Sequence, residues 1–503
     1  MDSMTEEVKE EKENEKKGVT KEWYRVSTKI SQEERQVFFC AAAYAFQKAI
    51  SLLLMTILPL AVVSTKGSHM LSILIIGIYQ LGISLTSLVS GKVFSALGRR
   101  RGYIVSVLFF FVGASLGTVG IYFKSVVTLI VSMVGVGMAI GISGTVRFAA
   151  MEVSKQDRRS RDNAVTLTIA GGIFSGAFGP LTAPAFAGIF PEHPYLGCYV
   201  LVFVFTLGFT WLIAVMIKFP SSVAPAEPKV TGSLAVTPSS TTITSSERQR
   251  NMLKFILATA SSTWSNTFLM LIMSSVLTEM VVDRDFSLVT TSIAVSLCFL
   301  GRFILGPFSG SFFQDYGLWL GQLISCICFL VGIIVFLAAD ASLSLAGFVV
   351  AMTLVGFGWH FGFATGNLLL RRIKCEQRQG QGARGLQTQA LHDFTVFFTS
   401  GLIVVLTSLA NPSWNTVLCI ATAVTILLMI TSSISYCLGI TVSENEAAEE
   451  ESEVKTGTEA TETGVVVVNP MTTLSFAREG VASITTGDSL SILEEGSRTE
   501  RTL

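Results

Sequence analysis

Twelve stretches of this 503-residue chain are each roughly 20 residues or more of predominantly apolar sequence, the length at which a helix crosses the hydrocarbon core of a bilayer. They fall at about 37–63, 70–90, 103–123, 126–151, 163–190, 195–218, 253–281, 287–309, 318–339, 342–370, 388–410 and 415–440. Open lipid-facing strands are excluded, because lipid offers no partner for exposed backbone N–H and C=O groups. Composition agrees. Half the residues are hydrophobic and only 14% are charged, where a soluble domain carries about a quarter. The expectation is an all-α integral membrane protein with twelve transmembrane helices.

The positions of Lys and Arg carry the topology, since basic short loops stay in the cytoplasm. "GKVFSALGRRR" (91–101), "KQDRRSR" (155–161) and "RRIKCEQRQGQGAR" (371–384) are strongly basic. The alternate connections "FPEHPYLG" (190–197) and "LANPSW" (409–414) have neither residue. With twelve spans, both termini are then expected in the cytoplasm, in the plasma membrane or an intracellular one. Eight Lys and Arg before residue 37 agree with that side. The one long connection between spans, residues 220–250, is rich in Pro, Ser and Thr and reads as a linker. The chain thus divides into an N-terminal tail (1–36), a six-helix bundle (37–218), a linker (219–252), a second six-helix bundle (253–440) and an acidic C-terminal tail (441–503) that reads as disordered. Cys326 and Cys328 are two apart on a helix and face different ways, so no metal pair is expected there.

The two bundles share a glycine skeleton. "GISLTSLVSGKVFSALG" (82–98) and "GRFILGPFSGSFFQDYG" (301–317) both have glycine at the first, tenth and last positions and serine before the middle glycine, at an offset of 219. "GVGMAIG" (135–141) matches "GFGWHFG" (356–362) at an offset of 221. Small residues are common where membrane helices pack. Several matches at nearly one offset instead indicate a duplicated bundle with a pseudo-two-fold axis, an arrangement that puts a substrate at the midplane between the halves.

These residues resemble the major facilitator superfamily. Gly91, Gly98, Arg99 and Arg100 sit as in its loop motif between spans two and three, G-x-x-x-D-R-x-G-R-R, with Ser95 and Ala96 where the motif has Asp and Arg. Gly171, Gly179 and Pro180 look like its fifth-span motif. "GFGWHFGF" (356–363), "RGLQTQALHDFTVF" (384–397) and "RFAAMEVSKQDRRSRDNAVTLTIAGG" (147–172) are similar to uncharacterised bacterial permeases of that superfamily. The resemblance covers about residues 37–440 and implies a transporter with the major facilitator fold.

Charge placement at matched repeat positions points to a cytoplasmic gate. The first-half loop is basic (Arg99, Arg100) and the end of span four is acidic (Glu152); the second half inverts this, with Asp315 in the loop and Arg371 and Arg372 at the end of span ten. Two latches are expected, Arg99 or Arg100 with Glu152 and Asp315 with Arg371 or Arg372. The alternative is that these are ordinary cytoplasmic anchors. By helix rise, the residues near the midplane are Gln47, Lys48, Gln80, Trp264, Asn266, Trp359 and His360. These are the candidate substrate site, against a reading in which the tryptophans only pack and the amides only bond between helices. Arg147 and Arg302 either face a cavity or partner or snorkel to the surface. Asp393, near the start of span eleven, reads as a helix cap.

No membrane-embedded nucleophile with a base and no phosphate loop is evident, so an enzyme is not expected, and neither are a cofactor, a metal or nucleic acid. The expected function is secondary transport of a small solute by alternating access, acting as a monomer. The alternatives are an exporter of neutral solutes or hydrophobic drugs and a non-transporting receptor with this fold. Lys48, with no midplane carboxylate beside it, points to an anionic substrate. If protons are coupled, His360 is the carrier the sequence offers.

Overall fold

The computed structural model describes residues 31–154, 158–219, 245–376 and 382–440. Both tails and most of the linker lie outside the described residues. The chain there is helical throughout: α1 (Gln32–Ser64), α2 (His69–Tyr122), α3 (Val126–Ser143), α4 (Val146–Val153), α5 (Arg158–Ala170), α6 (Gly172–Ala187), α7 (Leu196–Trp211), α8 (Ser245–Thr278), α9 (Leu288–Ile304), α10 (Gly306–Tyr316), α11 (Leu318–Ser342), α12 (Leu345–Glu376), α13 (Gly382–Leu409) and α14 (Trp414–Cys437). A capping box starts α1, with the Glu34 amide donating to Ser31 Oγ and the Ser31 amide to Glu34 Oε2.

Among the described residues, eleven helical stretches are long and apolar enough to cross a bilayer. One of them, α2, has 54 residues. At about 1.5 Å per residue it is far longer than a membrane is thick, and Gly98 breaks it. It therefore counts as spans two and three, which makes twelve. Spans four, five and eight are each two helices in tandem: α3 and α4, α5 and α6, α9 and α10.

The repeat is visible in the backbone. Gly98 has φ 75° and ψ 168°, and Gly317, 219 residues later, has φ 78° and ψ 164°. Only glycine occupies that region readily, and other residues pay about 1–3 kcal/mol there. Both basic-end turns are thus fixed by one conformation used twice. Gly98→Ala and Gly317→Ala should each lower the melting temperature of the detergent-solubilised protein. Gly188→Ala should leave it unchanged, since Gly188 has an ordinary φ of −91° and open space beside it.

Spans four and ten show where the sequence register needs correction. A methyl group on Gly137 would collide with the Tyr79 carbonyl oxygen, and one on Gly356 with that of Cys298. Gly356 lies 219 residues after Gly137, and Cys298 lies 219 after Tyr79. The equivalence therefore keeps the offset of 219 rather than 221. In that register Gly141 corresponds to His360. Gly141 abuts the Ile83 carbonyl, and His360 Nδ1 lies 2.8 Å from the Arg302 carbonyl oxygen, again 219 residues on. His360 stands where the first half has a close-packing glycine, and it reaches the same carbonyl by a hydrogen bond.

The two halves meet along spans two and eleven and along spans five and eight. Gly77 approaches Gly401 and Val405, and Gly172 and Gly176 abut Phe303 and Leu300. Such contacts hold membrane helices together by van der Waals packing, because lipid leaves no hydrophobic drive between helices. Spans one and seven are the most enclosed, with 83% of each apolar window buried against 39–61% in the others. Polar groups on those two helices are therefore aimed at protein rather than lipid.

Candidate functional site

Lys48 is the central residue of the 33-residue α1. A cation at that depth needs a partner or a wet cavity. Its Nζ lies 5.3 Å from the centre of the Tyr44 ring, one turn away on the same helix, and no ion pair to it is present among the described residues. The Tyr44 ring meets Phe303 of span eight edge-on, with centroids 6.4 Å apart. The neighbouring Arg302 places Cζ 5.2 Å from the Phe303 ring and 3.4 Å above that of Trp359. Cation–π contacts of this kind are worth about 0.5–1 kcal/mol exposed and about 2 or more when dry.

Trp359 in turn stacks on Phe363 at 4.4 Å and 17°. Arg147 of α4 brings Cζ to 5.7 Å from Phe363. Its Nη2 donates to both carboxylate oxygens of Asp393 at 3.0 Å, with both side chains only 9% exposed. A continuous path of cations and rings thus runs Lys48, Tyr44, Phe303, Arg302, Trp359, Phe363, Arg147, Asp393. It passes from the first half to the second, back to Arg147 in the first, and ends in the second.

The electrostatic balance of this cluster is uneven. Lys48, Arg147 and Arg302 face one carboxylate, Asp393. The Arg147–Asp393 pair is buried and self-compensating. Arg302 is 7% exposed, forms no ion pair among the described residues, and has its buried Nε without a hydrogen-bond partner. A buried charge left unpaired is costly.

The sequence candidates fall into distinct roles. Gln47 and Gln80 are buried, and neither terminal atom of either amide has a partner. Gln47 faces Gly144 and Gln80 lies against Gly401. Asn266 is engaged: Nδ2 donates to Ser400 Oγ at 3.1 Å and Oδ1 accepts from Trp359 Nε1 at 3.4 Å. Trp359 has both ring faces covered, by Arg302 and by Phe363, so it is the seat of Arg302 and not a free stacking surface. Trp264 is half-buried and packs against the core. His360 bonds the Arg302 carbonyl and keeps Nε2 buried without a partner.

At the basic end, Arg99 Nε donates to Glu152 Oε2 at 3.0 Å and its Nη2 pairs with Oε1. Both residues belong to the first half, so this pair ties α2 to α4 and does not cross between halves. Arg100 Nη2 donates to the Ile217 carbonyl at 3.1 Å, which closes the end of span six. Asp315 is exposed on α10. Arg371 and Arg372 stand near the end of α12, but their side chains lie outside the described residues, and so does the second latch. Among the described residues, the ion pair that crosses the halves is Arg147–Asp393. It borders a small cleft lined by Gly91, Thr145 and Arg99 on one side and Gln389 and Asp393 on the other. Asp393 is therefore a buried partner, not the helix cap its position in the sequence implied. Tyr44, Phe303 and Phe363 are absent from the sequence reading; Arg147 and Arg302 are expected there either to meet a cavity or partner or to snorkel, and the partner of Arg147 is Asp393. The aromatic residues carry no signal of their own in spans rich in Phe.

The family model described as Major Facilitator Superfamily matches residues 37–386. A riboflavin transporter, RfnT, of Brucella anthropi is 24% identical over 343 residues, which is 64% of this chain and 76% of that protein. The crystal structure of a D-xylose–proton symporter superposes with a TM-score of 0.56 at 11% identity, covering 80% of this chain and 96% of its own. At that identity the likeness concerns the fold alone.

Proposed function

We infer the function from one premise: the chain belongs to the major facilitator superfamily, a family of transporters. Within it, we propose a secondary transporter that moves a small organic anion between its two halves by alternating access. The observation that carries this reading is the surplus of buried cations over carboxylates. A site of positive field attracts anions and repels cations. Arg302 is buried without a carboxylate partner among the described residues, and Lys48, at the middle of span one, forms no ion pair among them.

In this reading the basic end faces the cytoplasm, and Arg147–Asp393 closes the halves there. Opening on that side requires the pair to part. Arg302 is held in place by Trp359 below it and by the His360 bond to its own carbonyl. Asn266 and Ser400 steady the tryptophan. The amides of Gln47 and Gln80 supply hydrogen bonds for the uncharged part of the solute.

The test is counterflow by the purified protein in proteoliposomes across organic anions, neutral sugars, riboflavin and organic cations. Exchange of an anion, suppressed by other anions and not by cations, is the expected result. Exchange confined to cations or to neutral solutes, riboflavin included, would overturn the proposal.

A further inference from the structure

Two ion pairs meet at the small cleft of the basic end. Arg147 and Glu152 both lie on α4. Arg147 reaches across to Asp393 of the second half, and Glu152 holds Arg99 within the first. Asp393 and Arg99 line the same cleft, with Ser90 and Thr145 of the first half beside them. Its volume is about 10 Å³, close to the least that one water molecule needs. The lining restricts what it can hold. Arg99 Nη1 is buried and has no hydrogen-bond partner among the described residues, and a guanidinium can only donate. The Asp393 carboxylate, paired with Arg147, can only accept. The Thr145 hydroxyl donates to the Ile142 carbonyl and the Ser90 hydroxyl to the Ser87 carbonyl, each at 2.8 Å. Both hydroxyls therefore have lone pairs, not protons, left to offer. A halide suits Arg99 and is repelled by the carboxylate. A metal ion suits the oxygens and is repelled by the guanidinium. A small molecule that accepts from one wall and donates to the other satisfies both.

We propose that the cleft binds one ordered water, which accepts from Arg99 Nη1 and donates to the Asp393 carboxylate, with its second proton on the Thr145 or Ser90 hydroxyl. The inference is independent of which solute is carried. It joins Glu152, Arg99, Asp393 and Arg147 into one chain of alternating charge that crosses the halves. A water bridge is nearly as favourable in enthalpy as a direct hydrogen bond. The Arg99–Glu152 pair, which does not itself cross, thereby helps to close the basic end. Arg99 commits Nε and Nη2 to Glu152 and keeps Nη1 for the water, a division that needs the fork of a guanidinium. When the halves part, the water loses its partner on one side, so the bridge and the Arg147–Asp393 pair form and break together.

Arg99→Lys isolates the bridge, because an ammonium keeps the charge and the partnership with Glu152 but has no second arm for the cleft. The melting temperature of the purified full-length protein is measured for this substitution in two backgrounds. One is wild type. The other carries Arg147→Met and Asp393→Leu, which remove the acceptor on the second half together with its counter-ion. Arg99→Lys should lower the melting temperature by roughly 1–3 °C in the first background and leave it unchanged in the second. Equal shifts in both, zero included, would show that Arg99 acts through Glu152 alone and overturn the proposal. A second measurement does not depend on the paired substitution. An experimental structure of wild type with Arg147 and Asp393 in contact should show one water within hydrogen-bond distance of both Arg99 Nη1 and the Asp393 carboxylate. A halide or metal ion at that point, a direct contact between Arg99 and Asp393, or no ordered density in the cleft would equally overturn it.

Discussion

Asp393→Asn should destabilise the protein severely and stop transport. The substitution leaves Arg147 buried without its counter-ion, and removing one partner of a buried pair costs about 3–5 kcal/mol. Arg147→Gln should do the same from the other side, by stranding the carboxylate. The double substitution Arg147→Met with Asp393→Leu removes both charges together. It should regain most of the lost stability, since replacing a buried pair by apolar groups is often neutral or favourable. It should not regain normal transport, because the contact that opens and closes between the halves is gone. Thermal melting in detergent measures the first effect and counterflow the second. Wild-type stability in Asp393→Asn would show that Arg147 does not depend on this carboxylate. The cross-half geometry makes the outcome informative: the pair links α4 to α13, 246 residues apart in sequence.

Lys48→Met should reduce transport of the anionic solute by roughly 30-fold or more. Truncating one member of a buried, hydrogen-bonded charge contact costs about 2–5 kcal/mol. Lys48→Arg should keep a fraction of the activity, because the charge survives while the planar guanidinium replaces a compact ammonium. Surface expression and binding of a conformation-sensitive antibody fragment would confirm that both variants are folded. Arg100 offers a contrast. Its guanidinium closes the end of span six through the Ile217 carbonyl, so Arg100→Gln should alter stability modestly and leave the choice of solute unchanged. Full transport by Lys48→Met would remove Lys48 from the site.

The sequence shows the twelve spans and the duplication because the physics behind them is local. A bilayer demands a set length of apolar residues, and a positive φ with extended ψ demands glycine, at position 98 and again at 317. The register of spans four and ten is harder to read, since His360 replaces the glycine that would have aligned with Gly141. Gly358 and Gly362 then offer a spurious match two residues along. Gln47 and Gln80 are identifiable as buried polar groups, and Lys48 as a mid-span cation, from depth alone. The partnership of Arg147 with Asp393 is not, because it crosses between halves and the two positions are unrelated by the repeat. Arg302 shows the same limit. Its place over Trp359 depends on how spans eight and ten pack, and spacing within either helix carries no trace of that. Arg99 and Glu152 are paired, as their matched charges in one half imply from the sequence.

The most direct measurement of the central claim compares the thermal stability of wild type and Lys48→Met, with and without the transported anion. A lysine at the centre of a span costs about 2.5–3.5 kcal/mol when nothing compensates it. Empty Lys48→Met should therefore melt higher than empty wild type. Adding the anion should raise the wild-type melting temperature and leave that of Lys48→Met nearly unmoved. A variant that melts lower than wild type when empty, or that the anion stabilises as strongly as wild type, would contradict the role of Lys48 as a cation kept for an anionic solute.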